Sequence, residues 1–526
     1  MKTKYKILTF SLIFAIALGL SSCSEDFLQT VPTDSVSTEI ALGSADNMML
    51  AINGIHRAMF AQNGQISNYA GQQFMIPTAE YGASDALHST TGNGWFRRNL
   101  QWIMHTDATR SDLAYVWFFN YNIIGSANNI INAAEEMQMS DDLNNILGQV
   151  YTYRAWAHFN LVRFYGKAYM IGNPSSDLGV PIMLATEPPY EGLVRNTVQE
   201  VYDQIKSDLN TALTHFEGAS SRDDLSHLNI DVAKGIAARV YLTIGDWANA
   251  AKYANEARQG YPLMSESEYK SGFNSVSNPE WIWGSKMIQD QTSYYYSYFY
   301  YTSNNFNGSQ NRSNPKFMNH NLYNLISETD YRRDLILKDC PSTFDDWDAG
   351  ENEGRYASED EFDAAVDAYR VIVNNSSRHN MVPYQHIKLS QADGSTITPM
   401  DVIHMRAAEM YLIEAEAQAR DGKNTEAQNA LFSLVSERDA GYEKSTNTGV
   451  ALVDEILVQR RIELFLEGHR WFDMLRNDVA LDLTGSGANP DLYLDGYSQA
   501  KPSSNPEWLF LIPQRELDAN PNMEQN

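Results

Sequence analysis

The stretch from Asp454 to Arg476, DEILVQRRIELFLEGHRWFDMLR, constrains the fold more than any other part of this chain. Its apolar residues recur three and four positions apart on two faces, which predicts a helix packed on two sides. Between those faces lies a charged stripe at the same spacing, formed by Arg460, Glu463, Glu467 and Arg470. Because buried charges persist only when paired, the sequence predicts one helix carrying an internal ladder of ion pairs.

Glu463 and Glu467 could instead be a catalytic carboxylate pair. They lie one turn apart and are flanked by two arginines, which favour the ionised form of both, whereas a general acid needs a raised pKa. The structural interpretation is therefore favoured, and this stretch is predicted to organise the fold without taking part in chemistry.

Residues 1–22 have the pattern of a secretory signal peptide, with three lysines, an apolar run over 7–20 and small residues before Cys23. The sequence LSSC has the form of a bacterial lipobox, in which the cysteine becomes the lipidated first residue. An ordinary signal peptide with a chance cysteine is the alternative. Residues 23–43 are then predicted to be a lipid-anchored tether, since no other apolar run approaches the length of a membrane span.

The formal charge of −27 excludes the function classes that need a basic surface. Phosphate backbones and anionic membrane surfaces would repel such a chain, so no nucleic-acid partner is predicted. The second cysteine is Cys340, and if Cys23 carries lipid, no intramolecular disulfide is possible. The core alone would then hold the fold.

Helical patterns with caps recur along the chain. One helix is predicted from Ser44, others from Asp112 onward, and the capping box TVQE at 197–200 begins a helix that Gly218 ends. Tetratricopeptide spacing appears over 241–262 and again over 405–434. Such repeats stack, which predicts one solenoid; two unrelated helical hairpins are the alternative.

Two regions lack a sustained helical pattern. Residues 61–109, rich in Gly, Asn, Gln and aromatics, are predicted to be loops that carry function. The region from about 278 to 399 contains the strand-like NPEWIWGSK and a tyrosine tract. If the tract is extended, its alternate residues point to one side: Tyr294, Tyr296, Tyr298 and Tyr300. Each buried phenol needs a partner, so they are not all expected in the core.

The segment 344–363, around Trp347, is acidic. Asp345, Asp346, Asp348 and Glu351 could ligate calcium, but their spacing does not match the twelve-residue calcium loop, so a solvated acidic loop is favoured. Common phosphate, dinucleotide, zinc and serine-hydrolase motifs are absent from the sequence. A glycoside hydrolase needs only two carboxylates, so their absence lowers the odds of an enzyme without excluding one.

Seven segments, in order along nearly the whole chain, resemble the SusD/RagB family of outer-membrane lipoproteins. They are SCSEDFLQTVP; YRAWAHFNLVRFYG with DLGVPI; TVQEVYDQIKSDLNTAL; AKGIAARVYLTIGDWANAAKYANEA; MRAAEMYLIEAEAQARDGKNTEA; QRRIELFLEGHRWFDMLR; and LFLIPQRELDANPNMEQN.

The resemblance implies a mainly α fold of four tetratricopeptide-like helix pairs that support a loop-rich region with minor β-structure. It implies no catalytic activity, no cofactor, and a lipid-anchored position on the outer face of the cell outer membrane. It also implies a SusC-like TonB-dependent transporter as partner and an oligosaccharide or polysaccharide as ligand. The predicted single unit, 44–526, has scaffold helices at about 44–60, 111–260 and 401–476, ligand-binding excursions at about 61–110 and 278–400, and a C-terminal segment, 477–526.

A pyranose ring has an apolar C–H face and a rim of hydroxyls, so its recognition needs flat aromatic surface beside polar side chains. In the excursions, the residues predicted to contact ligand are Asp85, Asn93, Trp95, Phe96, Arg98, Tyr294, Tyr296, Tyr298, Tyr300, Asn304 and Trp347. Tryptophans in the scaffold motifs are expected in the core, namely Trp117, Trp156, Trp247, Trp471 and Trp508.

Two other functions stay open. The RagB branch resembles a peptide importer, and a peptide held through its backbone would suit a polar cavity shared with the transporter. A glycosidase using Asp345, Asp346 or Glu351 is the least favoured alternative, because acids on a flexible loop lack the surroundings that tune a catalytic pKa.

Overall fold

The computed structural model describes residues 42–62, 69–90, 92–135, 137–186, 192–291, 297–393, 398–492, 499–500 and 506–526. The predicted signal peptide, Cys23 and nearly all of the tether lie outside these ranges, as do Tyr294 and Tyr296. Across the described part of the chain, no helix combines the length and the apolar character that crossing a membrane requires.

Helices dominate the described residues. They are α1 Ala45–Ala58, α2 Gln72–Tyr81, α3 Arg97–Leu100, α4 Ser111–Ala134, α5 Asp141–Tyr165, α6 Val198–Glu217, α7 Ile230–Ile244, α8 Trp247–Ala257, α9 Glu266–Tyr269, α10 Tyr298–Thr302, α11 Ser309–Ser313, α12 His320–Tyr323, α13 Glu359–Val373, α14 Ala407–Arg420, α15 Asn424–Val435, α16 Gly449–Glu463, α17 Arg470–Arg476 and α18 Gln514–Ala519. Short 3-10 turns occupy Gln289–Gln291, Tyr331–Leu335, Gly350–Asn352, Pro490–Leu492 and Pro506–Trp508.

The strands are short and antiparallel. They are β1 Ala86–His88, β2 Trp281–Ser285, β3 Lys316–Met318, β4 Ile336–Leu337, β5 Gln385–His386, β6 Val402–Arg406, β7 Leu481–Asp482 and β8 Gln499–Ala500. One sheet has the order β1-β3-β5-β4, and two-stranded sheets join β2 to β6 and β7 to β8. The strand predicted from NPEWIWGSK is confirmed, and all five residues of β2 are buried.

The long helices pack in succession. Helices α4, α5 and α6 lie one against the next, α7 packs on α8, and α8 packs on α14, which also contacts α15 and α16. The predicted hairpins at 241–262 and 405–434 are therefore helix pairs in contact, as a stacked repeat scaffold requires. Gly245 forms the turn between α7 and α8 with a φ of 79°, a conformation that glycine adopts without strain.

Caps confirm the predicted helix starts. Ser44 precedes α1 and its hydroxyl accepts a hydrogen bond from the backbone N–H of Asn47. The capping box between Thr197 and Glu200 is complete at the start of α6, and Gly218 follows the last residue of that helix. These local hydrogen bonds satisfy donors that the first helical turn leaves unpaired.

The prediction of one continuous helix over 454–476 is wrong. Helix α16 ends at Glu463 and α17 begins at Arg470, with a turn between them in which Gly468 has a φ of 89°. A Cβ atom at Gly468 would lie 3.3 Å from the Cα of Ile76, so the turn approaches α2 closely. The buried carboxylate of Glu80 accepts hydrogen bonds from the N–H groups of Gly468 (2.7 Å) and His469 (2.9 Å), which stabilises the break.

The four charges of the stripe are paired, as predicted, and all but the half-buried Arg470 are buried, but their partners lie on other elements. No residue of the stripe forms its ion pair with another residue of the stripe. The pairs are Glu463 with Arg332, Arg406 and Arg438; Glu467 with Lys388 and Arg406; Arg460 with Asp473; and Arg470 with Asp85. The predicted ladder along one helix is thus replaced by ion pairs between elements: Arg460 joins α16 to α17, and the other three charges tie this stretch to the rest of the fold.

Residues 61–109 are not all loop, contrary to prediction. Helix α2 lies within them, and nine of its ten residues are buried. A helix buried all round has no polar face, so the periodicity that marks a surface helix is missing, and Pro77 weakens the signal further. Among the scaffold tryptophans, burial is confirmed for Trp117, Trp156, Trp471 and Trp508, whereas Trp247 is half-buried beneath the guanidinium of Arg420.

Candidate functional site

A cleft of about 550 Å³ opens beside Trp95, and we call it the Trp95 cleft. It is lined by Tyr69, Phe74, Asn93, Gly94, Trp95, Phe96, Arg97, Arg98, Asn99, Gln101, Arg110 and Asp112. Four of the residues predicted to contact ligand therefore line one cavity. A volume of this size is typical of small-molecule sites.

The loop that carries Trp95 is held in place by α11. The Thr90 hydroxyl donates to the carbonyl oxygen of Ser313 (2.9 Å), and the Asn93 N–H donates to Oε1 of Gln310 (3.0 Å). Gly92 has a φ of 46°, and a Cβ atom there would lie 2.7 Å from the Cβ of Asn314. The loop thus fits closely against α11 and fixes the position of Trp95.

Buried aromatic rings support Trp95 from below. Its half-buried ring contacts Tyr69 edge-on at 5.9 Å and Tyr301 at 5.2 Å, measured between centroids. Tyr69 stacks on Phe74 at 4.0 Å, and Phe74 stacks on Phe96 at 5.5 Å. An indole held by such contacts loses little freedom when a ligand packs on it, which favours affinity.

Polar groups border the same cleft. Arg98 is half-buried and forms a 3.0 Å ion pair with Asp107, while the exposed side chain of Asn93 reaches the cleft from its other side. A hydrogen bond from Thr109 and the nearby Arg98 lower the pKa of Asp107. The cleft therefore combines aromatic surface with amide and guanidinium donors.

The tyrosine tract does not form the expected exposed platform in its described part. Tyr298 and Tyr300 lie in α10 and are almost fully buried, with exposures of 0% and 2%. The Tyr298 hydroxyl donates to the carbonyl oxygen of Leu466 at 2.6 Å. The expectation that these two residues are exposed is wrong: the turn between α16 and α17 supplies a hydrogen-bond partner for Tyr298, and the ring of Tyr300 packs against Tyr301 and Phe306. The predicted roles of Tyr294 and Tyr296 lie outside the described residues.

Two other predicted contact residues, together with Phe96 of the cleft lining, are buried in structural roles. Asp85 forms ion pairs with Arg461 (2.7 Å) and Arg470 (3.2 Å). Burial alone would raise the pKa of Asp85, but the two arginines hold it at about 2. The Asn304 amide donates to two backbone carbonyl oxygens at 2.8 Å, and the buried ring of Phe96 packs against Phe74 and Tyr301.

Trp347 is half-buried in the acidic segment and does not line the Trp95 cleft. In the same segment, the Asp345 carboxylate accepts hydrogen bonds from the Ser342 hydroxyl and the N–H of Glu351. Where the structure describes the chain, no three His, Cys, Asp or Glu side chains converge as a metal site would require. The calcium hypothesis for this segment therefore finds no support.

The sequence analysis missed Tyr69, Gln101 and Arg110, which line the cleft. All three lie in the predicted first excursion, 61–110. The sequence therefore indicates the region that forms the cleft, but no motif or spacing distinguishes these three residues from their neighbours. Tyr301 was passed over because it lies on the opposite side of an extended tract, whereas in α10 it turns toward Trp95.

A model of the SusD family matches residues 247–526, which is more than half of the sequence. The chain belongs to the SusD family. A second family model, described as starch-binding and associating with the outer membrane, matches residues 61–242 and therefore covers the loop of the Trp95 cleft.

Curated SusD relatives and solved SusD structures span nearly the whole chain. The SusD-like proteins P38 and P2 of Formosa agariphila are each 24% identical, over 99% of this chain and 99% of their own. A SusD-like carbohydrate binding protein from Bacteroides vulgatus superposes with a TM-score of 0.74 at 24% identity, covering 91% of this chain and 97% of that one. A SusD superfamily protein from Bacteroides thetaiotaomicron gives 0.72 at 23%, covering 92% and 99%. The predicted mainly α, SusD-like fold is confirmed.

Proposed function

We propose that this SusD-family chain is a cell-surface glycan-binding lipoprotein that captures oligosaccharide in the Trp95 cleft and passes it to a SusC-like TonB-dependent transporter. The observation that carries the proposal is the half-exposed indole of Trp95, which buried aromatics hold at a cavity bordered by Asn93 and Arg98. The description of the second family model, starch-binding and associating with the outer membrane, supports the glycan ligand and the outer-membrane location.

The chemistry of the cleft suits a sugar. The indole can pack against the C–H face of a pyranose, while the amides of Asn93 and Gln101 and the guanidinium of Arg98 can hydrogen-bond its hydroxyls. Because amides both donate and accept, they match hydroxyls, which do the same. Asp107 already accepts from Arg98, so this guanidinium is oriented before the ligand arrives.

The anchored location rests on the N-terminal pattern. A signal peptide over 1–22 that ends at Cys23 would leave the mature chain lipidated at its first residue. Cys23→Ser should abolish membrane retention in the native host without affecting glycan binding by the soluble chain. Retention that survives this change would contradict lipid anchoring at Cys23.

The carboxylates argue against catalysis. Glu463 and Glu467 are buried, and although burial favours protonation, neighbouring cations lower the pKa of both: three arginines act on Glu463, and Arg406 and Lys388 act on Glu467. A lowered pKa is the reverse of what a general acid needs. Burial raises the pKa of Glu80 to about 7, but this residue is enclosed beneath the α16–α17 turn and has no access to a substrate.

Binding of the chain from Ser24 onward to a panel of polysaccharides, by affinity gel and calorimetry, tests the proposal. Trp95→Ala should weaken binding roughly ten- to hundredfold, because a stacked aromatic surface is lost. Phe432→Ala is the matched control, since Phe432 is an aromatic residue of α15 that is 37% exposed. Equal binding by the two variants would refute the Trp95 cleft as the site.

Failure of the wild-type chain to bind any polysaccharide would favour the peptide alternative. Mass spectrometry of the complex purified with its transporter would then distinguish the two cargos. Peptide that co-purifies in stoichiometric amount would replace glycan as the proposed ligand.

A further inference from the structure

A second cleft, of about 510 Å³, is lined in part by the start of the loop that carries Trp95. Ser89 and Thr90 of this loop form one wall, and the acidic segment with Phe344 forms another. We call it the Phe344 cleft. The proposed function does not use the Phe344 cleft. The cleft is lined by residues of the acidic segment, in which no metal site was found among the described residues.

The Phe344 cleft has the same two kinds of surface as the Trp95 cleft. Phe344 is 45% exposed and lines the cleft, so its ring offers apolar surface to a ligand. Asp345 and Glu351 place carboxylate groups at the cleft, and the Ser342 hydroxyl and the N–H of Glu351 already donate to Asp345. An apolar ring beside carboxylates whose remaining lone pairs can accept from sugar hydroxyls fits a pyranose with its hydroxyl rim.

The far wall is built from His320 and Gly487. The imidazole stacks on Tyr384 at 3.7 Å, and burial lowers its pKa to about 4, so the ring is neutral at physiological pH and offers one donor and one acceptor. A Cβ atom at Gly487 would lie 2.2 Å from this ring. Glycine there lets the backbone approach the imidazole and leaves the cleft open.

The two clefts are near neighbours because they share a loop. Thr90 lines the Phe344 cleft and Asn93 lines the Trp95 cleft. They are three positions apart in the sequence, so their Cα atoms lie at most about 11 Å apart. Hydrogen bonds from both residues to α11 keep this ridge between the clefts in place. A chain of a few linked sugars is long enough to cross it.

We infer that the two clefts bind successive parts of one extended oligosaccharide, with the Phe344 cleft as a second subsite. The inference rests on the proposed function and narrows it to ligands long enough to span the ridge. Short oligosaccharides would contact the Trp95 cleft alone, and affinity would rise with chain length until both clefts are filled.

Calorimetry with a size-graded series tests this inference. The probes are oligosaccharides of two to eight sugars prepared from each polysaccharide that the wild-type chain binds, beginning with maltooligosaccharides. Phe344→Ala should weaken binding of the longest members about tenfold and leave the shortest unchanged. Trp95→Ala should weaken both. Phe432→Ala, on a distant helix, should change neither.

The outcomes separate the two proposals. If Trp95→Ala weakens binding but Phe344→Ala behaves like Phe432→Ala at every length, the second subsite is refuted and the proposed function stands. If Phe344→Ala weakens short and long ligands equally, the two clefts do not act in succession. If no oligosaccharide binds the wild-type chain, both proposals fail. Because Phe344 is exposed, the variant is expected to fold, and an unchanged circular dichroism melting curve would verify this.

Discussion

Glu463 lies at the centre of a buried cluster of eight charged side chains whose charges balance. Four are acidic and four are basic: Glu280, Asp330, Glu463 and Glu467, with Arg332, Lys388, Arg406 and Arg438. Each of their side chains is at most 4% exposed. The carboxylate of Glu463 accepts hydrogen bonds from three arginines: Arg332 (2.8 Å), Arg406 (2.6 Å) and Arg438 (3.2 Å).

Glu463→Gln keeps the size of the side chain and removes one negative charge, which leaves the cluster with an uncompensated positive charge. Breaking a buried pair in this way costs about 3–5 kcal/mol. We expect a value in the upper half of that range, because three guanidinium groups share the one carboxylate. Since folded proteins are stable by only about 5–15 kcal/mol, the variant should be close to unfolding at physiological temperature.

Urea unfolding, followed by far-ultraviolet circular dichroism, would measure the loss. The matched control is Glu266→Gln, because Glu266 forms a 2.6 Å ion pair with Lys270 on the surface, where such a pair is worth about 1 kcal/mol or less. A Glu463→Gln chain that unfolds at the same urea concentration as the control would refute the idea that this cluster holds the scaffold together.

The pH dependence gives a second check on the same cluster. Although burial favours the protonated form, the three arginines hold the pKa of Glu463 well below its usual value. Its contribution to stability is therefore present above the ordinary pKa of about 4.5 and is lost only as the pH falls toward the lower folded value. The deficit of Glu463→Gln should stay constant from pH 8 to pH 5 and shrink in stronger acid.

Two further predictions concern α2 and glycine. Burial and the nearby Asp85 raise the pKa of Glu80 from 4.5 to about 7, so its stabilising effect is present below pH 4.5 and lost as the pH rises through 7. Relative to wild type, Glu80→Gln should therefore gain up to about 3 kcal/mol in unfolding free energy between pH 5 and pH 8, and a pH-independent difference would contradict this. Gly468→Ala should lower the free energy of unfolding by about 1–3 kcal/mol, because the φ of Gly468 is 89° and Ile76 lies close. The control Gly54→Ala in α1 has open space around it and should raise the free energy of unfolding by about 0.5–1 kcal/mol. Equal melting temperatures of the two variants would refute the distinction.

Signals within a few residues of one another predicted the scaffold well. The capping box at Thr197, the cap at Ser44 and the turn at Gly245 are local hydrogen-bond or backbone features, and each lies where the sequence predicts. The periodic apolar faces of α6 and α7 are equally local. Elements of this kind can be found in the sequence because the residues that cause them are neighbours in it.

Features that depend on distant partners were not predictable. The helix is interrupted between α16 and α17 because α2 packs against the turn there and Glu80 accepts hydrogen bonds from the N–H groups of the turn. No residue near 468 in the sequence indicates this contact with α2. Tyr298 is buried because Leu466 supplies an acceptor, again from a distant segment. The number of tyrosines in the tract indicates that their hydroxyls need hydrogen-bond partners when buried. It does not show that the core supplies those partners.

Asp85 shows how the scaffold and the candidate site depend on each other. It was predicted to contact ligand, yet its carboxylate is buried between Arg461 of α16 and Arg470 of α17. The next residues form β1, which pairs with β3 and leads directly into the loop that carries Trp95. The ion pairs of Asp85 therefore fix the start of that strand, and the charged stretch that organises the fold also sets where the cleft lies. Asp85 thus positions the loop of the cleft without lining the cleft itself, and its place in the first excursion could not distinguish that role from ligand contact.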